Sequence, residues 1–406
     1  MSAVLTEQSL FLKKITNPLP VLNIATFLQY QRFEMPILYL FYLHNGLTFS
    51  NFIFCQSMFN ATCLLGKFFL SYIGDVFSKK YILIISYFFF LLRVLLWLNF
   101  SGFAIILVGE ILYGLFKAFY QGNIDSYTYE WLKKTNNKDN MIKEYGKQTY
   151  YASLGSAMSC FTGVLLYKYF GFKTLLFVEV FTQIFALASL FLLPNHKTPV
   201  KRRLRAAYYI KLTFKHLKSV FNNKKINYYV YYSACLNGLT SIFVWNFQPL
   251  LKLSGAPIFS YGAINFINQL LRGLGGLWAK NCLRWKNDKL IKLAYLSVIV
   301  SFILLIAGYI VANCIITSII LILICLAILL FVVFNIFTVS RIHKNTYSFK
   351  RAAISSTNTF LTDFASFFLL LSFKFLYDAL GVMNTIIIFA VVSIIVLFPK
   401  FKRVFE

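Results

Sequence analysis

Long apolar stretches separated by short polar gaps make up most of the chain. They lie at residues 20–43, 50–73, 81–99, 102–123, 148–169 and 173–193, and then at 227–251, 258–279, 290–312, 315–338, 354–376 and 381–399. A helix needs about 20 apolar residues to cross the hydrocarbon core of a bilayer. The pattern therefore predicts an all-α membrane protein with about twelve transmembrane helices.

A polar, strongly basic gap divides these stretches six and six. It predicts an N-terminal six-helix bundle at 1–193, a basic cytosolic linker at 194–226 and a C-terminal six-helix bundle at 227–406. The two halves share a spacing that supports an internal repeat. Arg272 precedes Lys280 in the second half by the same number of residues by which Lys67 precedes Asp75 in the first. We therefore expect two pseudo-symmetric bundles related by an axis along the membrane normal.

Composition agrees with a membrane protein, because 59% of the residues are hydrophobic and 13% are charged. The net charge of +27 does not indicate a nucleic-acid partner, since most of the 40 basic residues lie in alternate gaps between the apolar stretches. The other gaps hold few of them: Lys168, Lys173, Lys252 and Lys374. By the positive-inside rule, both termini are predicted in the cytosol, most simply at a bacterial inner (plasma) membrane. The basic linker can then lie on anionic membrane lipids.

The scattered cysteines form no C-x-x-C motif, and the sequence predicts neither a metal site nor a cofactor. No ATP-binding loop of the form G-x-x-x-x-G-K-[ST] is present. The motifs H-x-x-x-x-D and D-x-D are also missing, so a membrane-embedded lipid-modifying enzyme is an unfavoured alternative. The sequence thus predicts a protein that is not an enzyme.

Three short segments carry a family resemblance. They are SYIGDVFSKKYIL after the second apolar stretch, GNIDSYTYEWLKK at 122–134 and RIHKNTYSFKRAAISSTNTF at 341–360. In this order they resemble the major facilitator superfamily, and within it the drug-efflux-like branch. The resemblance implies a conformational latch at Asp75, Lys79 and Lys80. The Gly-Pro signature of antiporters in the fifth helix is absent, because the segment from Gly155 to Gly163 holds no proline.

Ionisable residues inside membrane spans are costly and usually mark a pathway or an internal pair. On the fourth stretch, Glu110, Tyr113, Gly114 and Lys117 recur at helical spacing and form one polar face. Together with similar stripes on other stretches, they predict a central substrate and proton cavity. The candidate residues are Arg32, Glu34, Lys67, Glu110, Lys117, Asn268, Arg272 and Asp363.

The chemistry of these side chains suggests two roles. The carboxyl groups of Glu34, Glu110 and Asp363 are candidates for proton coupling, whereas Lys67, Lys117 and Arg272 could bind an anionic group. The alternative is that they form structural pairs, such as Glu110 with Arg32 or Arg93. Arg93 and Glu179 are assigned a structural role.

The resemblance implies a secondary active transporter that works by alternating access, driven by protons and functioning as a monomer. Its efflux branch favours export of a small amphipathic or anionic organic compound. A proton-coupled importer of an organic anion or metabolite is the alternative.

Overall fold

The computed structural model describes residues 17–137, 140–195, 215, 217–282, 287–344 and 351–402. Within them, twelve α-helices run in chain order. They are α1 (Leu19–Gln29), α2 (Leu38–His44), α3 (Phe49–Val76), α4 (Lys79–Asn99), α5 (Phe103–Tyr120), α6 (Asn123–Lys134), α7 (Met141–Phe191), α8 (Lys224–Leu253), α9 (Ile258–Cys282), α10 (Asn287–Val311), α11 (Cys314–Lys344) and α12 (Arg351–Lys402).

These helices build twelve membrane spans, as the apolar pattern predicted. Six segments in the described part of the chain are long and apolar enough to cross a membrane: Lys79–Asn99, Phe103–Lys134, Lys143–Phe191, Leu290–Val311, Cys314–Thr338 and Thr357–Leu397. Two of them, with 49 and 41 residues, are long enough for two spans each. Helix α3, helix α8, helix α9 and the pair α1–α2 supply the remaining spans. The all-α architecture with about twelve spans is confirmed.

Two glycines divide the longest helices at corresponding places in the two halves. Gly171 breaks α7 with φ 78° and ψ −179°, and Gly381 breaks α12 with φ 77° and ψ 174°. A positive φ is strained for residues with a side chain, so glycine suits both turns. Each break separates the last two spans of a six-helix half.

Helix packing repeats between the halves. In the first half, α1 packs on α7, α3 on α5, and α4 on α5; in the second, α8 packs on α12, α9 on α11, and α10 on α11. The two largest contacts between the halves are related in the same way, with α12 against α3 and α9 against α7. The structure is therefore a pair of pseudo-symmetric six-helix bundles.

The halves meet tightly at the face opposite the termini. There the rings of Phe49 and Tyr377 are 5.0 Å apart, and those of Phe52 and Trp245 are 5.5 Å apart. A Cβ atom at Gly262 would lie 2.8 Å from the carbonyl oxygen of Cys160 in the other half. These contacts close the side of the molecule away from the termini.

Candidate functional site

The first span is interrupted in its middle, where three sequence-predicted site residues lie close together: Arg32, Glu34 and Glu110. Helix α1 ends at Gln29, a 3₁₀ turn covers Met35–Ile37, and α2 begins at Leu38. Pro36 lies in that turn, which agrees with the kink predicted from it. A broken helix leaves backbone groups without partners, and in a membrane protein these must be satisfied within the protein.

Side chains from both halves supply partners for this break. Gln248 accepts a hydrogen bond from the Tyr39 amide at 2.7 Å and donates one to the Met35 carbonyl at 2.8 Å. A glycine also allows a neighbouring helix to approach, because a Cβ atom at Gly163 would lie 2.1 Å from the carbonyl oxygen of Phe33. The break is thus held in place by α7 and α8.

A group of five ionisable side chains, here called the buried charge cluster, surrounds the break: Arg32, Glu34, Arg93, Glu110 and Glu179. Each side chain is at most 9% exposed. Glu34 Oε1 lies 3.0 Å from Nη2 of both Arg32 and Arg93. Arg93 is also 3.9 Å from Glu110 and 4.0 Å from Glu179. Helix α4 therefore carries the cation at the centre of the cluster.

Neutral groups complete part of this cluster. Glu110 Oε1 accepts hydrogen bonds from Tyr42 Oη at 3.1 Å and from Gln56 Nε2 at 3.2 Å. The guanidinium of Arg93 lies over the Trp97 ring, 3.8 Å from its centroid. Such a cation–π contact replaces part of the hydration that a buried cation loses.

Asp363 is the centre of a second group, which links the two halves and is here called the inter-half ion cluster. It comprises Asp363 on α12, Lys67 and Cys63 on α3, and Lys117 on α5. Lys67 Nζ donates a hydrogen bond to Asp363 Oδ2, and Cys63 Sγ donates to the same oxygen at 3.4 Å. Lys117 Nζ lies 4.0 Å from Asp363 Oδ1. One carboxylate of the second half therefore engages two lysines of the first.

An aromatic bridge connects the two clusters. Arg32 Nη1 donates a hydrogen bond to Tyr113 Oη at 2.5 Å, and its guanidinium lies 4.1 Å from the centroid of that ring. Tyr113 stacks on Phe59 at 4.8 Å, and Lys117 Nζ lies 4.8 Å from the Phe59 centroid. The sequence predicted Tyr113 on the polar face of α5, but nothing in its pattern identified Phe59 as the ring between two cations.

The remaining cavity candidates, Asn268 and Arg272, lie one turn apart on α9. Asn268 is buried, and its Oδ1 has no hydrogen-bond partner among the described residues. Arg272 is exposed, close enough to Tyr30 of the first half and Cys325 of α11 to interact electrostatically. The described residues give it no ion pair, so it is separate from both charge clusters.

Lys117 is partly accessible at the contact between the halves. Its side chain is 27% exposed, although it lies within a membrane span and pairs with Asp363.

The predicted latch is only partly described. The side chain of Asp75 lies outside the described part of the structure. Lys79 begins α4, and Lys80 Nζ donates a hydrogen bond to the carbonyl oxygen of Phe191, at the end of α7, at 2.8 Å. Lys80 therefore holds two helices of the first half together at the termini face.

A search of the described residues finds no group of three or more His, Cys, Asp or Glu side chains that could hold a metal ion. Two lysines, Lys67 and Lys117, both pair with the carboxylate of Asp363 in the inter-half ion cluster. The buried charge cluster lies beside it. The inter-half ion cluster can bind an anion or a proton at the contact between the two halves.

Comparison with known proteins agrees with this architecture. The family model described as Major Facilitator Superfamily matches residues 22–370. The fold is similar to that of the nucleoside transporter NupG, with 15% identity, a TM-score of 0.76, and coverage of 96% of this chain and 100% of that one. It is also similar to a POT family transporter in complex with 5-aminolevulinic acid, with 12% identity, a TM-score of 0.75, and coverage of 94% and 96%. No curated protein sequence matches.

Proposed function

Because the chain belongs to the Major Facilitator Superfamily, we propose that it is a secondary active transporter that carries a small organic anion together with a proton. It does so by alternating access, in which two bundles rock about a site between them. The family and the transporter folds it resembles favour transport over an enzymatic reaction.

The inter-half ion cluster carries this proposal. Asp363 of the second half forms ion pairs with Lys67 and Lys117 of the first half. A substrate anion therefore has to compete with Asp363 for the same two cations. Protonation of Asp363 removes its charge and releases both lysines. A proton and an anion are then bound in the same step, which is the requirement for symport.

The direction of transport follows from this competition. Symport uses an inward proton gradient to accumulate the anion, which corresponds to import. Export by antiport requires the opposite relation, in which proton and substrate exclude each other, as a cationic substrate and a proton would at Asp363. The resemblance to the efflux branch favours export of a small amphipathic compound. At this site, such export is expected for a cationic substrate, which would exchange with a proton at Asp363.

Several further expectations accompany the proposal. One chain supplies both halves, so we expect a functional monomer. The basic residues on the termini side support a bacterial inner membrane with cytosolic termini, and the basic linker at 194–226 is expected to contact anionic lipids. We keep Asp75, Lys79 and Lys80 as a proposed latch, in which case the Asp75→Asn variant folds normally but transports more slowly.

The proposal can be tested by uptake into reconstituted vesicles. A panel of labelled small carboxylates, organic phosphates and cationic dyes is offered with and without an acidic exterior. We expect an anion to accumulate only with the gradient. The Asp363→Asn variant should exchange that anion across the membrane without accumulating it, because its lysines are free at every pH.

A matched control is Lys173→Gln, which removes an exposed cation outside both clusters and should transport normally. Accumulation of dyes alone, driven by the opposite gradient, would contradict anion symport and support efflux. Unchanged concentrative uptake in Asp363→Asn would remove Asp363 from the coupling mechanism.

A further inference from the structure

The buried charge cluster has an odd number of charges. Three carboxyl groups (Glu34, Glu110 and Glu179) face two guanidinium groups (Arg32 and Arg93), and all five side chains are buried. With every group ionised, the cluster would hold one uncompensated negative charge in the interior of a membrane protein. Isolated buried charges are strongly unfavourable, and such a site normally takes up a proton instead.

The cluster leaves several buried polar atoms without a hydrogen bond among the described residues. They include Glu34 Oε2, both carboxylate oxygens of Glu179 and the three guanidinium nitrogens of Arg93. The Glu34 and Glu179 carboxyl groups are neighbours and interact directly. Two ionised carboxylates in this position would repel each other, whereas a single proton on one of them supplies the missing hydrogen bond.

The pairing of each carboxyl group indicates which one holds the proton. Glu34 Oε1 has two arginines at 3.0 Å. Glu110 has Tyr42 and Gln56 as donors, with Arg93 at 3.9 Å.

Among the described residues, Glu179 has one cation within 4.0 Å, Arg93, and it sits at that limit. We infer that Glu179 is a proton-binding site, holding a proton that it donates to Glu34, and that this proton neutralises the buried charge cluster. The site lies on α7, beside the break in the first span, and is separate from Asp363.

A resident proton makes the stability of this half depend on pH in a defined direction. The folded protein binds a proton at Glu179 that an unfolded, water-exposed glutamate has already lost at neutral pH. Folding stability therefore falls as the pH rises and the site is forced to release its proton. The charged groups that face Glu179 are Glu34, Arg32 and Arg93, with Glu110 on the far side of Arg93.

Infrared spectroscopy of the full-length protein in lipid tests the inference without any transport substrate. At neutral pH, we expect a carbonyl stretching band from a protonated carboxyl group, shifted by 13C-glutamate labelling and not by 13C-aspartate labelling. The band should be absent in Glu179→Gln and present in Asp363→Asn, which lies outside the buried charge cluster. A band that persists in Glu179→Gln, or that responds to aspartate labelling alone, would overturn the assignment.

Thermal unfolding gives a second readout. Glu179→Gln keeps the shape of the neutral acid and binds no proton in either state, so it should unfold near the wild-type temperature only at acidic pH, where the unfolded glutamate is also protonated. From there toward neutral and alkaline pH, the wild type should lose stability more steeply than the variant. Parallel curves would overturn the inference, and the isotope-labelled wild type decides the question if the variant does not fold. Because neither assay involves uptake, failure of the symport proposal leaves this result unchanged.

Discussion

Replacing Arg93 by methionine should destabilise the first half more than any other single loss of a cation. Arg93 is fully buried, and among the described residues it is the cation that lies within 4.0 Å of all three carboxyl groups, Glu34, Glu110 and Glu179. Removing one partner of a buried ion pair costs about 3–5 kcal/mol, because the remaining charge stays buried without compensation. This corresponds to a change of about two to nearly four powers of ten in the folding equilibrium.

The assay is reversible unfolding in mixed micelles, followed by tryptophan fluorescence, at neutral and acidic pH. Lys173→Met is the matched control, because it exchanges an exposed cation for the same apolar side chain and should change stability by less than about 0.5 kcal/mol. Acidic pH should reduce the loss in Arg93→Met, since a second carboxyl group can then be protonated. If Arg93→Met were as stable as the control variant, the carboxylates of the buried charge cluster would not depend on Arg93 for their stability, and this account of the cluster would be refuted.

Three other changes test the closed face, the break and the anion site. Gly262→Leu should separate the halves and raise the rate at which a thiol reagent modifies the buried Cys160, measured by mass spectrometry; an unchanged rate would contradict the tight contact. Gly163→Val should press on the carbonyl of Phe33 and cost about 1–3 kcal/mol in unfolding experiments, whereas a neutral effect would show that the break tolerates a wider gap. Lys67→Gln should weaken binding of a transported anion by about ten- to a hundredfold, the value of one charged hydrogen bond; equal affinity in equilibrium dialysis would place the anion elsewhere.

The sequence was sufficient to predict the fold because hydrophobic length and charge asymmetry are directly readable along a chain. The twelve spans and their six-and-six division are confirmed. The breaks were also predicted. Pro36 indicated the kink in the first span, the gap between 148–169 and 173–193 contains Gly171, and the gap between 354–376 and 381–399 ends next to Gly381.

The arrangement of the candidate site was harder to predict from the sequence than the fold. Helical spacing predicts which residues share a face, so Glu110, Tyr113 and Lys117 were placed together on one helix. It does not predict the partner on another helix. The structure separates the candidates into a buried cluster around Arg93 and a cluster between the halves around Asp363, while Arg272 belongs to neither. That division depends on the packing of α3, α5 and α12, which no local pattern records.

The competition between Asp363 and the substrate is tested most directly by the pH dependence of anion binding to the purified protein. Equilibrium affinity for a transported anion from the vesicle panel is measured from acidic to alkaline pH in the wild type and in Asp363→Asn. We predict that wild-type affinity falls as the pH rises, with one proton taken up per anion bound. In the variant, affinity should be high and nearly constant over the same range. An identical pH dependence in both proteins would contradict the claim that proton and anion are coupled through Asp363 and its two lysines.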